Sequence, residues 1–182
     1  MQSYLALLRG INVGGRNKVP MALLKETFTA LGCLDVQTYI QSGNVVFRAA
    51  EPAAELEHAL ETAIPRQFRL DSDSIMVLVV PADRLAAIVH DAPSGFGSAP
   101  GKYNYDVAFL KGVTSAEAEP HFQVNPEVDA VWFADGVVYY RRLTSARTRS
   151  RIRSVIASPI YPNITIRNWN TTTRLLALVT PH

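Results

Sequence analysis

Apolar and polar positions recur in the same order in both halves of the chain. Tyr4 to Arg9 is almost continuously apolar, as a strand covered on both faces requires. A glycine-rich loop, Gly10-Ile11-Asn12-Val13-Gly14-Gly15-Arg16-Asn17-Lys18, separates it from a helix. Pro20 suits that helix's first turn, Leu24, Phe28 and Leu31 line one face, and Gly32 takes the C′ position. Val36, Thr38 and Ile40 alternate with Gln37, Tyr39 and Gln41, and Ser42-Gly43 turns the chain into Asn44 to Arg48, which predicts a hairpin. Pro52 opens a second helix with Leu56, Leu60, Ala63 and Ile64 at helical spacing, ending near Pro65. Ile75 to Val80 predicts a strand and Pro81 to His90 a short helix.

The segment 92–103 is rich in Gly, Pro, Ser and Ala and predicts a linker. Beyond it the order returns. Asn104 to Leu110, Val128 to Phe133, Val137 to Arg142 and Ile164 to Arg167 predict strands, with Asp135-Gly136 as a hairpin turn. Ser115 to Phe122 predicts a short helix broken near Pro120, Ser145 to Ala157 a helix, and Thr171 to Val179 a last helix. Each half therefore reads βαββαβ plus a helix. The expected fold is α+β, with two tandem ferredoxin-like units over 1–91 and 104–182, mostly antiparallel sheets and helices packed on them. One larger α+β sheet is the alternative.

Composition agrees with a packed protein. The chain has 182 residues, 48% of them apolar and 19% charged, with 10 Gly and 11 Pro, which excludes disordered, collagen-like and disulfide-stapled classes. Cys33 has no partner for an internal disulfide, so a reducing, cytoplasmic setting is expected. The amino-terminal residues lack a basic n-region and a long apolar run, which predicts neither a signal peptide nor a membrane span.

Charge sharpens the picture. Residues 1–91 carry 8 basic and 10 acidic side chains, and the remainder 10 basic and 6 acidic. Asp135 is the last acid. After it come Arg141, Arg142, Arg147, Arg149, Arg151, Arg153, Arg167 and Arg174. Guanidinium forks suit phosphate and carboxylate, so this region predicts either a polyanion-binding surface or a solvated basic face.

Topology gathers the polar motifs. In a split βαββαβ unit the first two strands are parallel and leave the sheet at one edge. The loop after the first strand and the turn after the second therefore meet there, offering Arg9, Asn12, Arg16, Asn17, Lys18, Gln41, Ser42 and Asn44 and no carboxylate. Gly14 and Gly15 could present backbone N–H groups to an anion beside a helix N-terminus. The structural alternative is a turn whose glycines only redirect the chain. The pattern is neither the dinucleotide fingerprint nor a P-loop.

A second group, Arg167-Asn168-Trp169-Asn170-Thr171-Thr172-Thr173, precedes the last helix. Asn168, Asn170 or Thr171 is expected to cap that helix and Trp169 to plug a core or a subunit contact, while Arg167 and Arg174 could hold a phosphate there. The third group is Arg141-Arg142 through Arg153. In the expected helix Ile152, Val155 and Ile156 face the core, with Arg149 and Arg153 on one flank and Arg147 and Arg151 on the other. Nucleic acid is a ligand for such a surface. Tyr139 and Tyr140 lack the context of an RNA-recognition module.

Catalytic patterns are absent. His58 sits on an acidic outer helix face with Glu55, Glu57 and Glu61, His90 and His121 lie near helix ends, and His182 is terminal. Cys33 reads as a small buried apolar residue, and Asp71 with Asp73 as a loop before a strand. No metal site or cofactor is expected.

Three segments carry a family resemblance. Leu7 to Gly15 with Lys18-Val19-Pro20-Met21, then Thr38 to Phe47, then Arg167-Asn168-Trp169-Asn170-Thr171 resemble the motifs of a bacterial domain-of-unknown-function family, number 1697. Residues 52–141 carry no matching motif, and Thr173-Arg174 departs from the family's pattern. The resemblance implies tandem ferredoxin-like units and no activity. The leading expectation is a phosphorylated ligand, a nucleotide or nucleic acid, bound by the glycine loop, the Gln41–Asn44 turn and the arginine-rich region. An enzyme acting on a small phosphorylated or carboxylated substrate, and a structural or self-association module existing as monomer or homodimer, are the alternatives.

Overall fold

The computed structural model describes residues 1–72 and 75–180 and has the expected α+β architecture, with two four-stranded antiparallel sheets. The chain divides into two compact units, residues 1–87 with 174–182, and residues 88–173.

In the first unit β1 (Gln2–Leu8), α1 (Met21–Ala30), β2 (Leu34–Tyr39), β3 (Asn44–Ala49), α2 (Ala53–Gln67) and β4 (Val77–Pro81) follow in order, and α3 (Ala82–His90) begins there. The sheet order is β2-β3-β1-β4, so β3 lies between the parallel pair β1 and β2. Ala6 sits opposite Val45 on one side and Val79 on the other. One face packs Tyr4, Ala6, Leu8 and Phe47 against Leu24 and Phe28 of α1 and Leu56 and Leu60 of α2, with Phe28 edge-on to Phe47 at 5.1 Å. Leu5 and Leu7 on the other face are also fully buried. The unbroken apolar run of β1 has this double burial as its cause: alternation would have left one face wet.

The second unit repeats the plan with β5 (Tyr103–Leu110), α4 (Ser115–Ala118), β6 (Asp129–Ala134), β7 (Val137–Leu143) and β8 (Ile164–Asn168), and α5 (Trp169–Val179) starts in it. Its order, β6-β7-β5-β8, matches the first sheet. Ala108, Leu110, Val138 and Tyr140 form one face of its core with Phe122, Ile152 and Val155. Thr114 and Glu117 form a capping box at the start of α4, satisfying two orphan donors reciprocally.

Four local expectations change. Residues 145–157 form two 3₁₀ segments, Thr144–Arg149 and Ile152–Ala157, separated by extended Ser150. Asp129 Oδ2 accepts from Arg151 N at 2.9 Å and from Asn125 N at 2.9 Å. This anchor from β6 holds the backbone off a helical path, and Ile156 is left 49% exposed. Helix α2 runs through Pro65 to Gln67. Helix α5 starts two residues before the expected Thr171, with Asn168 Oδ1 accepting from Asn170 N at 3.0 Å. The stretch expected as a linker over 92–103 packs on its own sheet, for Phe96 meets Tyr105, Tyr139, Trp132 and Trp169 edge-on, Tyr105 and Trp169 at 5.0 Å. By contacts the chain divides after residues 87 and 173, so residues 92–103 fall inside the second unit.

Candidate functional site

The two loops at the rim of the first sheet do meet. Asn12 Nδ2 donates to Val19 O and to Gln41 O, both at 2.9 Å, and Asn12 Oδ1 accepts from Val19 N at 2.9 Å. Leu8 N donates to Gly43 O at 2.8 Å. One carboxamide thus ties the glycine loop to itself and to the β2–β3 turn. Asn44, fully buried, donates to Tyr39 O and Ser42 Oγ, both at 3.1 Å, and shapes that turn from inside.

The glycines have a turn to make. Arg16 N donates to Val13 O at 3.1 Å across an antiparallel bridge, and Gly14 and Gly15 have φ of 59° and 79°. Positive φ at both central residues is what a type I′ turn demands. A carboxylate also enters the rim from 54 residues away: Asp71 Oδ2 accepts from Asn17 N at 2.6 Å, and Asn17 Oδ1 accepts from Asp71 N at 2.8 Å. The rim is therefore not free of acids. Asn17 Nδ2 donates to Gly10 O at 3.0 Å. What stays outward are Arg16 and Lys18, both exposed, beside a shallow groove of about 400 Å³ that includes Asn12, Gly15, Lys18 and Gln41.

The second group is mostly structural in placement. Arg167 is buried, donating through Nη1 to Thr165 Oγ1 at 2.9 Å and Ile166 O at 2.8 Å, and burial lowers its pKa to about 10. Asn168 caps α5, and its Nδ2 donates to Tyr105 O at 3.2 Å. Trp169 is half-buried against Phe96, and Asn170 is exposed.

The arginine-rich region builds the more enclosed polar cleft. Successive residues of a strand point to opposite faces, so Arg141 and Arg142 part company on β7. Arg142 faces the helical side, where its Nη2 donates to Asp106 Oδ2 at 2.8 Å. Burial raises the Asp106 carboxyl above its ordinary pKa, and the charge and hydrogen bond of Arg142 pull it back. With Arg142 as one wall, Asn104, Arg147, Thr148 and Arg153 enclose a cleft of about 530 Å³. Arg147 and Arg153 are exposed, and among the described residues neither makes an ion pair. Arg149 pairs instead with Glu127. Asn104 and Thr148 were invisible as site residues from sequence, because strand register and an unexpected 3₁₀ turn bring them to the arginines.

Arg141 turns to the other face. Its guanidinium lies 4.3 Å from the Tyr103 ring centroid and 5.7 Å from that of Trp132.

Among the described residues the histidines assemble no site. His58 is exposed, while His90 pairs with Asp91 at 2.7 Å on the surface. Glu57 and Glu61, expected on a solvated helix face, bond to β4. Cys33 is buried, and burial pushes its thiol pKa up to about 11. Among the described residues no three His, Cys, Asp or Glu side chains cluster as metal ligands, and no helix is long and apolar enough to cross a membrane. Asp73 and His182 lie outside the described residues.

The fold has a solved counterpart in the conserved bacterial protein SP0830 from Streptococcus pneumoniae, with a TM-score of 0.80 at 24% identity over 98% of this chain and 99% of that one. No curated protein matches the sequence. The family described as protein of unknown function (DUF1697) matches residues 1–139, which include the glycine-loop and hairpin motifs and stop short of Arg167–Thr171, and the chain belongs to that family.

Proposed function

We propose that this protein binds a phosphorylated ligand, a nucleotide or nucleic acid, through the arginine cleft of its second unit. The observation that carries the reading is the convergence of Arg142, Arg147 and Arg153 on one polar cleft in which the latter two have no carboxylate partner among the described residues. Guanidiniums held this close repel one another, and a phosphate relieves that repulsion while accepting forked hydrogen bonds. Arg16 and Lys18 beside the glycine-loop groove, with Arg9, Asn12, Gly14, Gly15, Asn17, Gln41, Ser42 and Asn44 shaping that rim, supply a second basic surface on the first unit. Arg167, Asn168, Trp169 and Asn170 serve mainly to place α5. The buried, unpaired Cys33 fits a bacterial cytoplasm.

Thermal shift and calorimetry with nucleotides and oligonucleotides, at low and high salt, test the reading. Binding is expected to weaken with salt, and Arg147→Gln with Arg153→Gln together should reduce affinity at least tenfold. No interaction with any phosphate compound, or one indifferent to both substitutions, defeats it.

A small phosphorylated or carboxylated substrate turned over in the same cleft is the second reading, favoured by the raised pKa of Asp106 beside Arg142. Phosphate release from a panel of phosphoesters, lost in Asp106→Asn, would favour it.

A further inference from the structure

The proposed phosphate cleft lies at one end of the second sheet, and the opposite face of that same end carries flat groups. Tyr103 and Asn104 are neighbours on β5, and Arg141 and Arg142 are neighbours on β7, with Asn104 opposite Arg142 and Tyr105 opposite Arg141. Alternation puts Asn104 and Arg142 into the cleft, and Tyr103 and Arg141 on the far side. Trp132 of β6 joins them there, and Lys102, exposed, holds its Nζ 5.2 Å from the Tyr103 ring centroid.

Arg141 is unusual in this setting. Its side chain forms no ion pair and no hydrogen bond among the described residues, the residue is half-buried, and its guanidinium lies against the two rings. A guanidinium packed among aromatic rings and still partly exposed joins them in one flat, cationic patch that a nucleobase can cover. Trp132 and Tyr103 are half-buried and not sealed in the core. Cationic phosphate sites beside flat stacking groups are the combination that single-stranded nucleic acids need. A duplex hides its bases from such a surface, and a mononucleotide cannot reach both faces.

We infer that the protein binds single-stranded nucleic acid across the end of the second sheet, phosphates in the Arg142–Arg147–Arg153 cleft and bases on the Tyr103–Arg141–Trp132 shelf. This rests on the phosphate-binding reading above and adds the base-stacking shelf to it.

The test titrates the full chain with fluorescein-labelled dT12, with a twelve-unit abasic oligomer of the same backbone charge, with a duplex of the same length, and with inorganic pyrophosphate. The dT12 strand should bind at least about tenfold tighter than the abasic oligomer, since each stacked base adds a factor of that order. It should also bind tighter than the duplex and quench tryptophan emission. Trp132→Leu should bring dT12 down to the abasic level while pyrophosphate affinity stays unchanged. Arg141→Met should do the same, and serves if Trp132→Leu does not fold. Arg147→Gln with Arg153→Gln should weaken every ligand. Equal affinities for dT12 and the abasic strand, a preference for duplex, or indifference of dT12 binding to both shelf variants overturns the inference and leaves phosphate binding standing. Loss of all binding, pyrophosphate included, removes both.

Discussion

Glu61 Oε1 accepts the backbone N–H of Val77 at 2.9 Å. One turn earlier on α2, Glu57 Oε1 accepts the N–H of Val79 at 2.8 Å. Strand β4 is an edge of the first sheet, and every second N–H of an edge strand points away from its partner and invites another chain to pair. Two glutamates spaced four apart on a helix rise by about 6 Å, close to the spacing of alternate residues along a strand. The helix therefore covers the open edge with carboxylates. Glu57→Ala and Glu61→Ala should each cost about 1 to 2 kcal/mol at neutral pH, as the loss of a charge-assisted hydrogen bond does. Urea midpoints measure this. The double variant should also scatter light on standing, whereas Glu57→Gln with Glu61→Gln, which keeps the acceptors, should not.

Asn12 organises the glycine loop more than it offers itself to a ligand. Its side chain makes three hydrogen bonds to backbone groups and its φ is 54°, a left-handed conformation that Asn tolerates better than most residues. Asn12→Ala loses the bonds and strains the backbone, and about 2 to 3 kcal/mol of stability should go with it. Asn12→Gly relieves the strain alone and should recover about 1 kcal/mol of that loss. A thermal or urea melt of the two variants separates the contributions. Identical losses would show that the backbone conformation contributes nothing.

The strands were readable in advance because each depends on local alternation or on a continuous apolar run. Tyr4 to Leu8 and Val137 to Arg142 fall where their patterns place them. The ferredoxin-like order followed from βαββαβ spacing and the handedness of crossovers. Long-range contacts decided what was not readable. Residues 145–157 have helical spacing of apolar positions, yet Asp129, 22 residues before Arg151, captures the backbone there. Asp71 reaches Asn17 over 54 residues, so the rim appeared free of carboxylates until the chain was folded. Phe96 was hidden in Gly, Pro and Ser, where composition outweighed a single aromatic. The cleft was half-legible. Its arginines stood out by charge, and their convergence needed the register of β5 on β7.

Two glycines with similar φ separate steric crowding from backbone strain. A Cβ at Gly43, φ 76°, would lie 2.8 Å from Leu8 Cβ and 2.9 Å from Ile11 Cγ1 and from Leu8 O. At Gly15, φ 79°, nothing lies within 4 Å of such a Cβ. Gly15→Ala should therefore cost about 1 kcal/mol for its conformation alone. Gly43→Ala carries that cost and must also shift β1 or the loop, so about 3 kcal/mol or more is expected. Unfolding midpoints of the two variants give the comparison directly. Equal losses would mean the β2–β3 turn is free to move away from β1.

Asp106 and Arg142 give the stability of the second unit a pH dependence of definite sign. Burial raises the Asp106 pKa above its ordinary 3.8, and attraction to Arg142 only partly reverses this. Between the ordinary and the raised value the folded chain retains a proton that the unfolded chain has released. The contribution of this group is then fully present below the ordinary value and declines as pH rises through the raised one. Asp106→Asn preserves the volume and removes the titration. The stability of the unsubstituted protein relative to Asp106→Asn should fall as pH is raised from about 3.5 toward neutrality, and urea unfolding at a series of pH values measures the difference. A carboxyl titration followed by NMR should place Asp106 above free aspartate. A relative stability that climbs with pH instead would mean that the Arg142 ion pair outweighs desolvation, and the cleft would then be held open by that pair rather than at its expense.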